Sequence, residues 1–134
     1  MAGPSDKKTF NPPSVRAPFG NYNHGLFVPP GASLLVTSGQ LGIEPDETIP
    51  PDVTGQAEVC FQAVDAILRD AGMSFEDVIR ISGFVTRRED FPAYMAVRDR
   101  YTGTIKPVST LLIVSGFTRE DFLVEVEVTA AKIF

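Results

Sequence analysis

Two carboxylates stand at alternate positions of the stretch FLVEVEVTA, residues 122–130. Strict alternation predicts a strand that carries Glu125 and Glu127 on one face, together with Leu123. On a solvated sheet face such glutamates do no chemistry. If a second subunit covers that face, however, a partly buried glutamate has a raised pKa and exchanges protons near neutrality. The pair is therefore either a solvated surface or a candidate acid–base site.

The other reactive residue types are scarce in this sequence. A metal site needs three or four converging ligands, and the chain has one histidine, His24, and one cysteine, Cys60, far apart. Cys60 falls on an apolar helical stripe, which predicts core packing and not a reactive thiolate. His24 is predicted to be a surface or hydrogen-bonded residue of a loop. Glycine-rich phosphate-binding motifs are absent, so we predict neither a metal nor a cofactor.

Composition excludes several classes of function. The 134 residues carry a net charge of −5, and the 12 basic residues are scattered, with Arg87–Arg88 the densest pair. This opposes nucleic-acid binding, which requires clustered cations. No apolar run is long enough to span a membrane, and the first residues lack the apolar core of a secretory signal. A lone cysteine fits a reducing cytoplasm.

The elements that must position these residues can be read from periodicity. Residues 1–16, with three prolines, are predicted to be a flexible arm, and residues 17–134 a single domain. A helical stripe from Ala57 to Ala71 predicts a helix that Asp52 or Thr54 caps and Gly72 ends. A second helix is predicted at 89–103, and Ser74 begins a short capped turn. Strands are predicted at 25–28, 34–39, 78–86, 108–114 and 122–133.

The order β-β-α-β-α-β-β predicts an α+β fold, with one mixed sheet and both helices on one face. The proline and glycine residues at 29–31 are predicted to join the first two strands by a turn. Near the other end of the chain, the strand at 108–114 carries four apolar residues directly after Ser109 and Thr110.

Several of these segments resemble the reactive intermediate deaminase family, also known as RidA or YjgF and often labelled endoribonuclease L-PSP. The resemblance runs in order from about residue 17 to 133. The matching segments are Gly-x-Tyr at 20–22, VTSGQLG, ILRDAGMSFEDVI, FVTRREDFPAY, KPVST and LVEVEVTAA.

The resemblance implies a chorismate-mutase-like fold assembled as a homotrimer. In that assembly the sheets form a central barrel, and each inter-subunit cleft holds a small-molecule ligand. Family members of the best-known type hydrolyse 2-imino or enamine acids to 2-keto acids and ammonia without a cofactor. An arginine binds the substrate carboxylate, and a glutamate holds the attacking water.

Carried over position by position, the resemblance implies that Glu125 acts on the water and that Tyr22, Ser38 and Gly39 line the pocket. Three pocket positions depart from the family pattern. Ser109, followed by Thr110, replaces the arginine, Leu111 replaces a cysteine, and Met95 replaces an asparagine.

A serine supplies neither the charge nor the reach of an arginine. The pocket is therefore expected to disfavour the usual small 2-imino acids, unless another cation reaches it. The cations considered from sequence are Arg87, Arg88, Lys106 and Arg119, of which Lys106 is nearest to Ser109 along the chain.

Three hypotheses follow. The first is an imine or enamine deaminase with an altered substrate. The second is a non-catalytic small-molecule-binding or regulatory protein that keeps the trimer and its cleft. The third and weakest is a ribonuclease, because the sequence has neither a basic groove nor a pair of histidines.

Overall fold

The computed structural model of the protein describes residues 8–134, within which two helices pack on one face of a mixed five-stranded sheet. The strands are β1 (Thr9–Phe10), β2 (Gly25–Leu26), β3 (Ser33–Val36), β4 (Gln40–Leu41), β5 (Val78–Val85), β6 (Val108–Ile113) and β7 (Val124–Lys132). The helices are α1 (Val53–Asp70) and α2 (Phe91–Thr102). The predicted α+β fold, with both helices on one side of the sheet, is confirmed.

Helix α1 begins and ends at the residues that its sequence indicates. The carboxylate of Asp52 accepts the N–H of Gly55 at 2.8 Å and caps the first turn. At the other end Gly72 has φ +75°, and Met73 donates its N–H to the carbonyl of Leu68 at 2.8 Å. This is a Schellman ending, in which glycine avoids the steric cost of left-handed backbone.

The sheet has the order β3–β7–β5–β6, and β4 also pairs with β7. β5 and β6 are parallel, with α2 as the connection between them, and the other pairs are antiparallel. Along β7 the predicted alternation is confirmed. Val124, Val126 and Val128 are buried in the helix-facing core, whose largest side chains include Phe61 and Tyr94. Glu125 and Glu127 are on the opposite side of the sheet, called here the open face.

The two strands predicted at 25–28 and 34–39 are shorter than predicted and do not pair with each other. β2 pairs with β1 in a separate two-stranded sheet, where the rings of Phe10 and Phe27 meet edge to face at 4.9 Å. The turn at 29–31 does form, but Pro29 and Pro30 have no N–H to donate to a ladder, so pairing does not continue from it. The segment predicted to be an arm, 1–16, therefore contains a strand at residues 9–10, while residues 1–7 lie outside the described residues.

Candidate functional site

Glu125 lies on the open face between two register neighbours, Leu41 of β4 and Phe84 of β5. Glu127 follows it on the same face, opposite Ser82. Partial removal from water raises the pKa of Glu125, and the negative charge of Glu127 adds to that rise. Such a carboxyl group holds and releases its proton closer to neutrality than an ordinary surface glutamate does.

The strand opposite Glu125 contains one extra residue. The β3–β7 ladder ends at the pair Val36–Thr129, and the β4–β7 ladder resumes at Gln40–Val126. Four steps along one strand therefore match three steps along the other, which is a β-bulge at 37–39. Bulges bend a strand and redirect its side chains, and they are common beside functional sites. The continuous strand predicted at 34–39 is thus interrupted where two predicted pocket residues lie.

The bulge sets Gly39 against the glutamate. Thr37 is buried, and its Oγ1 accepts the N–H of Val128 at 3.1 Å, which anchors the bulge to β7. A Cβ atom on Gly39 would lie 2.5 Å from both the carboxyl carbon and Oε2 of Glu125. Only glycine therefore lets the carboxylate lie against this backbone. Gly39 and Glu125, both implied by the resemblance, are therefore in contact, and Ser38 is the bulge residue just before Gly39.

Tyr22 lies elsewhere, in a turn that docks on the segment leading into β6. Its hydroxyl oxygen accepts the N–H of Phe19 at 3.1 Å. The next residue, Asn23, donates its backbone N–H to the carbonyl of Pro107 at 3.3 Å and its amide to the carbonyl of Lys106 at 2.7 Å. The turn that carries Tyr22 is thus held against the residues just before Ser109. In the same turn exposed His24 has Nε2 at 2.6 Å from the carbonyl of Arg16, which confirms the hydrogen-bonded surface histidine.

Ser109 and Thr110 face opposite sides of β6. Ser109 is in register with the buried Ile81, so it faces the helices, and its Oγ lies 3.4 Å from Nη1 of Arg98. Thr110 is on the open face, where its Oγ1 accepts a hydrogen bond from Nη2 of Arg80 at 3.3 Å. A shallow pocket opens on that face, lined by Arg80, Ser82, Glu127, Val128 and Thr129.

Met95 and Leu111 are partly buried and pack against the helix-facing core. Leu111 lies on the same face of β6 as Ser109, opposite Gly83 of β5. Met95 is on α2, next to the fully buried Tyr94. Both side chains are therefore on the Ser109 side of the sheet and not on the Glu125 side.

The predicted site residues thus form two groups that do not meet within one chain. Ser109 is in register with Ile81, and Glu125 with Phe84, three residues further along β5. With two strand spacings between β6 and β7, the Cα atoms of Ser109 and Glu125 are about 14 Å apart, and their side chains leave opposite faces. A ligand that touches both groups would need them from two different chains.

Arg98 is the functional candidate that the sequence reasoning missed. Of the cations considered from sequence, Arg87 is paired with Asp90 and Arg119 lies over the ring of Phe122. Arg98 instead reaches Ser109 from α2 and is only 5% exposed. A signal was present in the sequence, because Arg98 lies four residues from Tyr94 and four from Thr102, on the buried stripe of the helix.

Cys60 is packed in the core, as predicted. Burial, with a smaller effect from the charge of Glu125, raises the pKa of its thiol to about 12, so the reactive thiolate is scarce at neutral pH. Among residues 8–134 there is no group of three or more His, Cys, Asp or Glu side chains that could hold a metal ion. In the same residues, no helix is both long and apolar enough to cross a bilayer.

Comparison with known proteins identifies the family. The sequence profile described as endoribonuclease L-PSP matches residues 14–132, which include both groups of site residues and the bulge. The chain belongs to this family. It is the family that also carries the names RidA and YjgF, as the segments at 20–22, 36–42 and 123–131 indicated.

Three relatives illustrate the range of names within the family. The chain is 29% identical over 117 residues to a RutC family protein of Pyrococcus abyssi, covering 86% of this chain and 89% of that protein. It is 29% identical over 116 residues to a Lactococcus lactis protein named as a candidate regulator, AldR, covering 85% and 89%. It is 38% identical over 79 residues, 57% of this chain and 59% of the relative, to TdcF of Escherichia coli, named as a candidate reactive intermediate deaminase.

A solved structure of TdcF with bound serine is also similar to this chain, with a TM-score of 0.69 and 29% identity over 86% of this chain and 91% of TdcF. The similarity extends over both halves of the fold, so the sheet and helices that position the site are shared within the family.

Proposed function

We propose that the protein is a cofactor-independent hydrolase that releases ammonia from an imine or enamine. The observation that carries this proposal is the partly buried carboxyl of Glu125, held against Gly39 with a raised pKa. A group of this kind is suited to hold a water molecule and to move its proton. The name of the relative TdcF, a candidate reactive intermediate deaminase, supports the same class of reaction.

In the proposed reaction the Glu125 carboxylate accepts a hydrogen bond from a water molecule. The water oxygen bonds to the imine carbon while its proton passes to Glu125, which returns that proton to the imine nitrogen. The hydroxyl proton then reaches the same nitrogen, the C–N bond breaks, and ammonia leaves as the carbonyl forms. One water is consumed, no electrons are exchanged with another molecule, and the carboxylate is regenerated. Ser38, Tyr22 and nearby backbone N–H groups stabilise the charge that develops.

We further propose that the active unit is a homotrimer with ligand clefts between subunits. Support comes from the two groups of site residues, which lie on opposite faces of one chain and are complementary only across an interface. Apolar side chains on the open face also favour burial by another subunit, since Leu34, Val36 and Leu112 are 59%, 69% and 50% exposed. The lone buried cysteine supports a reducing, cytoplasmic location.

The substrate is proposed to differ from the usual small 2-imino acids. The strand position implied to carry the carboxylate-binding arginine holds Ser109, whose hydroxyl provides no positive charge. A ligand must therefore find its anchoring group at another depth or angle in the cleft, which changes the size and shape of the molecule that fits.

Replacement of Glu125 by glutamine tests the proposal. Imines are generated in the assay by an amino-acid oxidase, and ammonia release is followed with and without the protein. We expect Glu125→Gln to lose turnover by at least about 100-fold while ligand binding persists. Glu120→Gln, on an exposed loop, is the matched control and retains turnover. The proposal is refuted if the wild-type protein does not accelerate ammonia release from any imine of a broad panel.

A second candidate function is non-catalytic binding of a small molecule, with a regulatory role. Ser109 favours it, because loss of the strand arginine removes a substrate contact without disturbing the fold, and one relative is named a candidate regulator. Ligand-dependent thermal stabilisation that is identical in wild type and Glu125→Gln, without turnover in either, is the result this alternative predicts. Ribonuclease activity, which the family label names, receives no support from a chain with one histidine and a net charge of −5.

A further inference from the structure

Arg98 is a buried cation with an unusual set of partners. Its side chain is 6% exposed, and Nε and Nη2 both donate to Oδ1 of Asp99, at 3.1 and 3.0 Å. The third contact is from Nη1 to the hydroxyl of Ser109 at 3.4 Å, a long distance for a hydrogen bond. The guanidinium therefore connects its own helix to the start of β6.

The donors of Arg98 are incompletely used. A guanidinium has five N–H groups, and within residues 8–134 three of them have acceptors, two on Asp99 and one on Ser109. One N–H on each terminal nitrogen is left, which is the number that a carboxylate with two oxygens can accept together. Each terminal nitrogen already makes one hydrogen bond, and the N–H groups that remain favour an anionic acceptor because bonds between a guanidinium and a carboxylate are charge-assisted.

Asp99 is a counter-ion that can be displaced. It follows Arg98 directly, and neighbouring residues of a helix do not face each other, so its carboxylate has to bend back to reach the guanidinium. Its side chain is 35% exposed, in contrast to that of Arg98. The other oxygen, Oδ2, accepts the amide of Asn21 at 3.2 Å. Asp99 thus ties the turn of residues 20–23, which covers the guanidinium, to the end of α2.

The turn at residues 20–23 covers one side of the Arg98 guanidinium with backbone and not with a side chain. A Cβ on Gly20 would lie 3.7 Å from Nη2, so the backbone of a glycine is what covers this nitrogen. Tyr22, a predicted ligand-binding residue, belongs to the same turn. The buried cation, the serine on β6 and the tyrosine therefore lie around one place, at the start of the β6 edge strand.

We propose that Arg98 binds the carboxylate of the ligand and that Asp99 sets the affinity by occupying the same guanidinium when the ligand is absent. The ligand carboxylate takes the two remaining N–H groups and weakens the Arg98–Asp99 pair, which also loosens the Asn21 contact that holds the turn. The location of the ligand in this cleft rests on the proposed function, whereas anion binding itself does not. A carboxylate held from α2 also lies deeper than one held by a side chain at position 109, which makes room for a larger substrate.

Two substitutions that break the same ion pair test this proposal, because they have opposite predicted effects. The probe is phenylpyruvate, a 2-oxo acid larger than the products of the usual small 2-imino acids, with its uncharged primary amide as the comparison, and binding is measured by calorimetry or NMR titration. Arg98→Lys keeps the charge but loses the fork, and we expect binding at least about tenfold weaker. Asp99→Asn keeps the shape and the hydrogen bond to Asn21 but removes the competing charge, and we expect binding about fivefold tighter. A purely structural ion pair predicts weaker binding, or no change, in both variants.

The matched control is the Arg87–Asp90 pair, in which two nitrogens of an exposed arginine donate to a buried carboxylate away from Ser109. Arg87→Lys and Asp90→Asn are expected to leave binding of phenylpyruvate unchanged. The proposal is overturned if wild type binds the carboxylate no better than the amide, or if Asp99→Asn binds it no more tightly than wild type. The comparison of carboxylate with amide needs no variant, so the test stands even if one variant fails to fold.

The outcome is separable from that for catalysis. Carboxylate binding that depends on Arg98 in a protein without turnover on any imine would refute the proposed function and leave the anion site intact. Turnover of imines that is insensitive to Arg98→Lys would support the proposed function and refute the role of Arg98 in binding the ligand carboxylate.

Discussion

Replacing Gly39 by alanine is expected to separate turnover from folding. The added Cβ would lie 2.5 Å from the carboxyl carbon of Glu125, where ordinary contact begins at 3.4 Å, so the carboxyl must retreat by 3.4 − 2.5, or about 0.9 Å. Glu125 is partly buried at the open face and has a flexible side chain, so it can move without disturbing the backbone.

Two magnitudes decide what is observed. Forcing a side chain away from its preferred rotamer costs about 0.5–1.5 kcal/mol, which lowers the melting temperature by several degrees and leaves the protein folded. A misplacement of about 1 Å at a reacting group can reduce the rate about 100-fold, equivalent to about 2.7 kcal/mol. The effect on turnover is therefore expected to exceed the effect on stability.

The assay is ammonia release from an enzymatically generated imine, together with thermal unfolding. Gly25→Ala is the control, because a Cβ there would meet Phe10 at an ordinary 3.9 Å. The double variant Gly39→Ala with Glu125→Gln is expected to be no slower than Glu125→Gln alone, since both changes act through one carboxyl. Turnover of Gly39→Ala within about threefold of wild type, at unchanged stability, would refute a role for the Glu125 carboxyl in this position.

Further predictions concern the glutamate pair, a buried amide, the cysteine and the assembly. Glu127→Gln removes a charge that raises the pKa of Glu125. Because Glu125 acts as the carboxylate, activity is lost as the pH falls through that pKa, and the acid limb of the rate profile is expected to move to lower pH. An acid limb that does not move contradicts the role assigned to Glu125. Gln56→Leu removes three hydrogen bonds to backbone groups, one in the loop before α1 and two just before β7. It is expected to lower the free energy of unfolding by about 2–3 kcal/mol, measured by urea denaturation, whereas a loss below about 0.5 kcal/mol would show that water replaces these bonds. Cys60 is expected to resist iodoacetamide at pH 8 in the native protein and to react rapidly once unfolded, and fast native alkylation would be inconsistent with its burial. Native mass measurement is expected to give three chains per particle, and a stable monomer would remove the proposed cleft.

Much of the fold followed from local patterns in the sequence. The apolar stripe from Ala57, with Asp52 before it and Gly72 after it, predicted α1 because capping and burial both act within one helix. The alternation in β7 predicted that Glu125 and Glu127 lie on the face of the sheet opposite the buried valines. The pairing of residues 25–26 with 9–10 did not follow from the sequence, because a turn signal at 29–31 indicates a change of chain direction but not which strand pairs with which.

The candidate site was predicted only in part. Types and spacing, with the family resemblance, indicated Glu125, Ser38 and Gly39, and the bulge that brings them together depends on a register difference of one residue between β3 and β4. Arg98 was missed because a charged residue on a buried helical stripe can point along many directions. Its partner on β6, Ser109, is eleven positions away, and only the packing of α2 on the sheet sets their separation.

The sequence by itself determined the elements, their order and the buried side of each, because hydrophobic periodicity and capping are local properties of the chain. It also determined that Ser109 cannot supply a charge. Only the tertiary structure decided that an arginine of α2 lies beside that serine, already paired with a carboxylate. The physical reason is that ion pairs between a helix and a strand depend on distances of a few ångströms, which the packing of elements creates and which no spacing along the sequence encodes.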